Sequence, residues 1–144
     1  MRGRCLCGEV EFEILGELPN LYQCHCSLCR KQSGSVANAA TIIDAHQLRW
    51  VKGAASVRTW KKDTGFRSDF CITCGSPVPN PLGDMPYYWV PAGLLEDTDG
   101  STITTHYHVS SKARWETRPE KGNIHEELPD LAKVLKELKK GPGT

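Results

Sequence analysis

Three cysteines within six positions, Cys24-His25-Cys26-Ser27-Leu28-Cys29, constrain this chain more than any other stretch. Thiols that dense exceed what core packing needs. Cys24 and Cys26 form a C-x-C pair, and Cys26 and Cys29 form a C-x-x-C pair. On an extended segment side chains alternate, so the two outer sulfurs of the C-x-C point to one side. A tight turn through Ser27 and Leu28 brings Cys29 round to the same point. Three convergent thiolates suit a Zn2+ ion whose fourth tetrahedral position stays open, as in catalytic zinc sites.

The other four cysteines can be grouped in two ways. Joining the C-x-x-C pairs, Cys26/Cys29 with Cys71/Cys74, would make a zinc ribbon. Residues 30 to 70 lie between those pairs, however, and ribbons usually leave about 15 to 20. The other grouping sets Cys5 and Cys7 with Cys71 and Cys74. Cys7 and Cys74 are the only two cysteines followed by glycine, Gly8 and Gly75. Glycine accepts the left-handed backbone that turns amide N–H groups back toward thiolates. Two matching knuckles favour one closed, structural four-cysteine site that ties the N-terminus to mid-chain.

All seven cysteines lie between residues 5 and 74, and seven is odd. A disulfide framework would leave one thiol over and would want an oxidising compartment. Met1-Arg-Gly-Arg carries positive charge but no apolar run follows it, so no signal peptide is expected. No apolar run reaches membrane-spanning length. The expectation is a cytoplasmic, reduced, metal-binding protein. A formal net charge of +1 gives no field drawing the chain to nucleic acid or to a membrane.

The 144 residues fit a single domain. Thirteen Gly and nine Pro, scattered along the chain, suggest short elements joined by many turns, a mainly β fold. Residues 9 to 14 alternate strictly, with Val10, Phe12 and Ile14 on one face and glutamates on the other, which predicts a half-buried strand. Further strands are expected over 21–25, 35–43, 48–51, 87–90 and 102–109. Residues 56–60 and 66–72 form the arms of a hairpin. Between Ser27 and Gln32 there is room for a short helix, Asp44 caps a helical turn, and Ser76 to Met85, with three prolines, reads as irregular. From Pro129, the spacing of Leu131, Val134, Leu135 and Leu138 predicts a helix, stopped by Gly141-Pro-Gly. This divides the chain into a zinc-binding β domain over 1–120 and a helical tail over 121–144.

With these residues in place the chain resembles the GFA family, the glutathione-dependent formaldehyde-activating enzymes and centromere protein V relatives. Gly3-Arg-Cys-Leu-Cys-Gly-Glu-Val-Glu-Phe is similar to the family's opening C-x-C-G-x-V-x-F. Cys24 to Gly34 follows C-H-C-x-x-C-R-K-x-x-G almost letter for letter, and Arg67 to Pro77 is similar to R-x-F-C-x-x-C-G, with one extra residue before Phe70. Gly93-Leu-Leu-Glu-Asp resembles G-x-L-D-D, and His106 to Trp115 resembles H-I-x-V-x-S-K-A-x-W. The resemblance implies a zinc-stapled, mainly antiparallel "β-tent", here with a C-terminal helix. It implies a structural zinc at Cys5, Cys7, Cys71 and Cys74. A second, labile zinc at Cys24, Cys26 and Cys29 is implied as the catalytic centre.

Three thiolates on Zn2+ leave a net charge of −1, a weak Lewis acid that still takes the proton from an entering thiol. Making or breaking a carbon–sulfur bond suits such a centre better than hydrolysis. The expected activity is that of a carbon–sulfur lyase joining glutathione, or another small thiol, to formaldehyde as S-hydroxymethylglutathione. Arg30 and Lys31 stand where they can pair with glutathione carboxylates. His25 points away from its cysteine neighbours and is expected to be hydrogen-bonded in the structure; His106 and Lys112 match family positions. Two other functions compete. A zinc deaminase would use Cys7-Gly-Glu9 with Cys71 and Cys74, but Phe70 replaces its proline and the cysteine trio goes unexplained. A non-catalytic zinc-stapled module binding a partner is the second, since a fold does not dictate a function.

Overall fold

The computed structural model describes residues 1–97 and 99–141. In chain order the strands are β1 (Arg2–Arg4), β2 (Glu11–Ile14), β3 (Leu21–Cys24), β4 (Asn38–Asp44), β5 (Leu48–Lys52) and β6 (Val57–Lys61). They continue as β7 (Arg67–Cys71), β8 (Pro77–Val78), β9 (Asn80–Pro81), β10 (Tyr87–Pro91), β11 (Ile103–Tyr107) and β12 (Asn123–Ile124). The helices are α1 (Ser27–Ser33) and α2 (Leu131–Leu138). The fold is mainly β with a C-terminal helix, and it divides into two compact units, Met1–Leu18 with Ile42–Asp99, and Pro19–Thr41 with Gly100–Thr144.

The first unit is built on the alternating strand. Val10, Phe12 and Ile14 are all buried, and β2 lies between β1 and β5, antiparallel to both. Phe12 faces Gly3 on one side and Trp50 on the other, its ring meeting the indole edge-on at 6.3 Å. The opposite face carries Glu11, near Arg2 and Lys52, and Glu13, paired with Arg49. The expected hairpin is present as β6 and β7, in continuous register from Val57 opposite Cys71 to Lys61 opposite Arg67.

The stretch expected to be irregular holds two short strands. β8 pairs with β7, and β9 with β10. Pro77 and Pro81 fit because proline is tolerated at strand starts and edges, where no N–H is required of it.

In the second unit the strand order is β12-β11-β3-β4. β3 and β4 are antiparallel, as most strand pairs of the fold are, while β11 runs parallel to both β3 and β12. Parallel neighbours need a long connection between them. Here residues 25–102 lie between β3 and β11. Tyr22 and Tyr107, buried on adjacent strands, pack edge-on with centroids 5.3 Å apart.

α2 begins at Leu131, two residues after Pro129. Asp130 is its N-cap, its carboxylate accepting the Lys133 N–H at 2.9 Å, which satisfies one of the free donors of the first turn. Val134 and Leu138 are buried, the Leu138 carbonyl accepts the Asn20 N–H, and Glu137 accepts the Tyr107 hydroxyl at 3.1 Å. Of the expected stop, Pro142 and Gly143 lie outside the described residues. Among the described residues no helix is long and apolar enough to cross a membrane.

A Cβ added at Gly3 would lie 2.3 Å from the Phe12 ring, whose side chain is fully buried and cannot retreat. Gly3→Ala should therefore destabilise the protein by about 1–3 kcal/mol, the cost of overpacking a filled core. Urea denaturation with an unchanged slope is the check.

Candidate functional site

The first unit closes two knuckles onto one point. Residues 5–8 turn so that the Gly8 N–H donates to the Cys5 carbonyl at 3.1 Å. Residues 71–75 turn likewise, with Gly75 N–H donating to the Cys71 carbonyl at 2.8 Å. Gly8 and Gly75 have φ of 80° and 78°, the left-handed backbone that favours glycine. The Val10 N–H donates to Cys5 Sγ at 3.3 Å, and the Leu6 N–H to Ser76 Oγ at 2.9 Å, so the two knuckles also touch through Ser76.

All four sulfurs lie within 4.8 Å of one another. Cys5 and Cys7 are 3.7 Å apart and Cys7 and Cys71 are 3.8 Å apart. Four thiolates around Zn2+ at about 2.3 Å form a tetrahedron with edges of about 3.8 Å, so this donor set and spacing fit a closed zinc site. Cys5 and Cys71 are buried and pack with Val10 and Val78, whereas Cys7 faces solvent. Burial pushes the Cys74 thiol up, but hydrogen bonds from Ser76 and the Cys7 backbone hold it down at about 5, so this cysteine is ready to ligate as thiolate.

The second unit gathers the other three. Cys24 ends β3, Cys26 is the N-cap of α1, and Cys29 sits in its first turn. Their sulfurs also lie within 4.8 Å of one another, which groups Cys26 and Cys29 with Cys24 and not with Cys71 and Cys74. Sulfur replaces the usual oxygen of a helix cap: the Cys29 N–H donates to Cys26 Sγ at 3.3 Å. Hydrogen bonds from the Cys24 and Cys29 thiols, then from the Cys29 and Leu28 backbone, hold the Cys26 thiol far below its ordinary range. The same contacts push Cys29 up, and contact with Cys26 pushes Cys24 up. These contacts favour ionisation at Cys26 over its two neighbours. Three sulfur donors fit a metal ion with a position to spare.

Arg30 and Lys31 follow on α1. Arg30 is half-buried, donates through Nη2 to the Ser111 carbonyl at 3.5 Å, and keeps a buried Nε–H with no partner. Lys31 is exposed. Ser111 is brought there by a tight turn at His108, whose φ of 57° is left-handed, and sequence pattern gives no sign of it. His25 stands apart from the cysteine trio: it is 1% exposed, with Nδ1 2.8 Å from Glu116 Oε1 and Nε2 3.0 Å from His106 Nδ1. Glu116 follows directly on the His106–Trp115 stretch but belongs to no sequence motif. Lys112 donates to the Glu116 carbonyl at 3.3 Å.

Residues 1–111 match the family described as glutathione-dependent formaldehyde-activating enzyme, and the chain belongs to that family. No curated protein matches the sequence. Among solved structures, a Rhodobacter sphaeroides protein from structural genomics is similar, with 27% identity and a TM-score of 0.57. That likeness covers 72% of this chain and 100% of the other.

The two clusters should respond differently to loss of a ligand. Cys71→Ser opens a buried position at the point where two distant segments are joined, and the variant should unfold or precipitate. Cys29→Ser should stay folded and lose only its own metal. Circular dichroism melting, with metal analysis of each variant, is the check; a normal melt for Cys71→Ser would contradict the assignment.

Proposed function

We propose that the chain is a zinc-dependent carbon–sulfur lyase that joins a small thiol of the glutathione type to a small aldehyde, formaldehyde being the simplest. The observation that carries this reading is the open trio, three sulfurs converging from a strand end and a helix N-terminus. Family membership supports the same chemistry. A zinc ion held by Cys24, Cys26 and Cys29 would supply an acidifying fourth position for a thiol. A second, structural zinc belongs to Cys5, Cys7, Cys71 and Cys74.

The chain's own residues fix the site and orient the reactant. β3 sets Cys24, and the first turn of α1 sets Cys26 and Cys29, so the three donors rest on regular backbone. Arg30, anchored by the Ser111 carbonyl and left with an unpartnered Nε–H, faces a carboxylate of the thiol, with exposed Lys31 beside it. In the reaction the thiol gives up its proton, its sulfur pair forms the new bond to carbon, the carbonyl π pair moves to oxygen, and that oxygen takes a proton in turn. The reverse breaks the carbon–sulfur bond and returns the aldehyde.

Exchange between free and glutathione-bound formaldehyde, followed by NMR, tests the reading. With zinc-loaded protein the exchange should accelerate, and Cys26→Ser, still folded, should return it toward the uncatalysed rate. Arg30→Ala should raise the glutathione concentration needed for half-maximal exchange by about tenfold, one lost charge-assisted contact. No acceleration by the wild-type protein would exclude this activity.

A further inference from the structure

The hairpin of β6 and β7 leaves one strand with a free side. β6 is an edge of its three-stranded sheet and pairs with β7 alone. Arg58, Thr59, Trp60 and Lys61 are all exposed, so both faces of the strand meet solvent as well as its outer side. An edge strand presents unpaired N–H and C=O groups, a template for another extended segment. The ladder identifies those groups. The Lys62 N–H donates to the Phe66 carbonyl and the Ile72 N–H to the Ser56 carbonyl, both at 2.8 Å. In an antiparallel pair such bonds fall on alternate residues, so Ser56, Arg58, Trp60 and Lys62 direct theirs at β7. Val57, Thr59 and Lys61 direct theirs outward. Val57 is already occupied, its N–H donating to the Ala54 carbonyl and its carbonyl accepting Arg58 Nη1 at 3.2 Å. The main-chain groups of Thr59 and Lys61 have no partner on that edge among the described residues.

The two faces of the strand suit different side chains. On one, Lys61 stands opposite Arg67, like charges that repel. Asp69 is taken up by Arg67 in a two-point pairing at 2.8 and 3.0 Å. Lys61 and Lys62 have no ion pair among the described residues, and Arg58 donates to the Ala55 and Val57 carbonyls of its own turn. Against these three cations the hairpin sets one exposed carboxylate, Asp63. On the other face Trp60 is 53% exposed, with Phe70 diagonally across from it, an apolar surface. Successive side chains of an added strand point to opposite faces, so a segment in which acidic and apolar residues alternate satisfies both. A second copy of β6 does not, because it brings Arg58, Lys61 and Lys62 against the same cations.

We infer that the free edge of β6 is a docking site for an extended acidic segment of a partner protein. The segment adds as a fourth strand beside β6 and bonds to the N–H and C=O groups of Thr59 and Lys61. Its carboxylates lie beside Lys61, and its apolar side chains lie on Trp60. In this mode main-chain bonds supply affinity and the alternating side chains supply selectivity.

The probe is the capped peptide Glu-Val-Glu-Val-Glu-Val. Its control is Glu-Glu-Glu-Val-Val-Val, equal in composition and charge but without the alternation. Each is titrated into the zinc-loaded, nitrogen-15-labelled full chain and followed by NMR. The alternating peptide should shift the amides of Thr59 and Lys61 and the Trp60 indole N–H, and slow hydrogen exchange at both amides. It should bind about tenfold more tightly than the control. Thr59→Pro removes an outward N–H and leaves the β6–β7 ladder intact, so it should weaken the alternating peptide about tenfold. Should that variant unfold, the wild-type chain decides: the same peptide with every amide N-methylated keeps its side chains and charge and should not bind. Equal affinity for the two sequences, shifts that spare Thr59 and Lys61, or unchanged binding by folded Thr59→Pro would each overturn the proposal. Full binding of the N-methylated peptide, or equally tight binding of oligothymidylate, would do the same. So would protection of Thr59 and Lys61 that grows with protein concentration and needs no peptide, the mark of a second copy.

Discussion

The convergence of four sulfurs from residues 5–7 and 71–74 is the constraint on which the first unit rests. Without it, two short turns more than sixty residues apart would have to be held by a small apolar cluster, Cys5, Val10, Cys71 and Val78 with their neighbours. Loop closure over that length costs conformational entropy, though the cost grows slowly with length. A tetrahedral metal held there would offset it directly, because structural zinc contributes roughly 10–16 kcal/mol in small zinc-binding peptides. The backbone is shaped for that geometry already. Glycines in the left-handed region and N–H groups aimed at sulfur make the knuckles complementary to thiolates.

The trio uses different local chemistry for a different end. In the four-cysteine site each pair comes from a glycine turn, and four donors fill a tetrahedron. In the trio, a strand end supplies Cys24 and a helix start supplies Cys26 and Cys29. A helix N-terminus offers free N–H groups and a partial positive charge, which favours thiolate over thiol. The consequence is a bias toward thiolate at Cys26 and a donor count one short of closure. Closure suits a staple and an open position suits chemistry on a thiol, which is how one chain carries two sulfur clusters without redundancy.

The parallel pairing of β3 with β11 decides what surrounds the trio. By setting His106 opposite Gln23 and Tyr107 opposite Cys24, it sorts side chains onto two faces of one sheet. Tyr107 joins Tyr22 on the buried face, where Glu137 of α2 holds its hydroxyl. His106 goes to the other, where it meets His25 and, through it, Glu116. A slip of one residue would exchange these faces and dissolve both arrangements. The buried tyrosine pair and the half-buried histidine are therefore consequences of a single register.

Much of this was fixed locally and could be read without coordinates. The alternation of Val10, Phe12 and Ile14 determines a half-buried strand. The C-x-C and C-x-x-C spacings determine which sulfurs can meet at short range. The two Cys-Gly knuckles go further and mark their own partner, because glycine is needed there by the backbone geometry that the thiolates impose. The spacing of Leu131, Val134 and Leu138 determines a helix. Its N-cap is Asp130, because a carboxylate satisfies a first-turn N–H, which proline cannot do. Tertiary structure decided everything that depends on residues meeting across the sheet. The parallel β3–β11 pair, the small strands at Pro77 and Pro81, the Ser111 carbonyl against Arg30, and Glu116 beside His25 leave no trace in spacing or composition. Spacing records contacts made by a residue's own turn or strand, whereas these contacts join segments whose separation along the chain is set by the path between them.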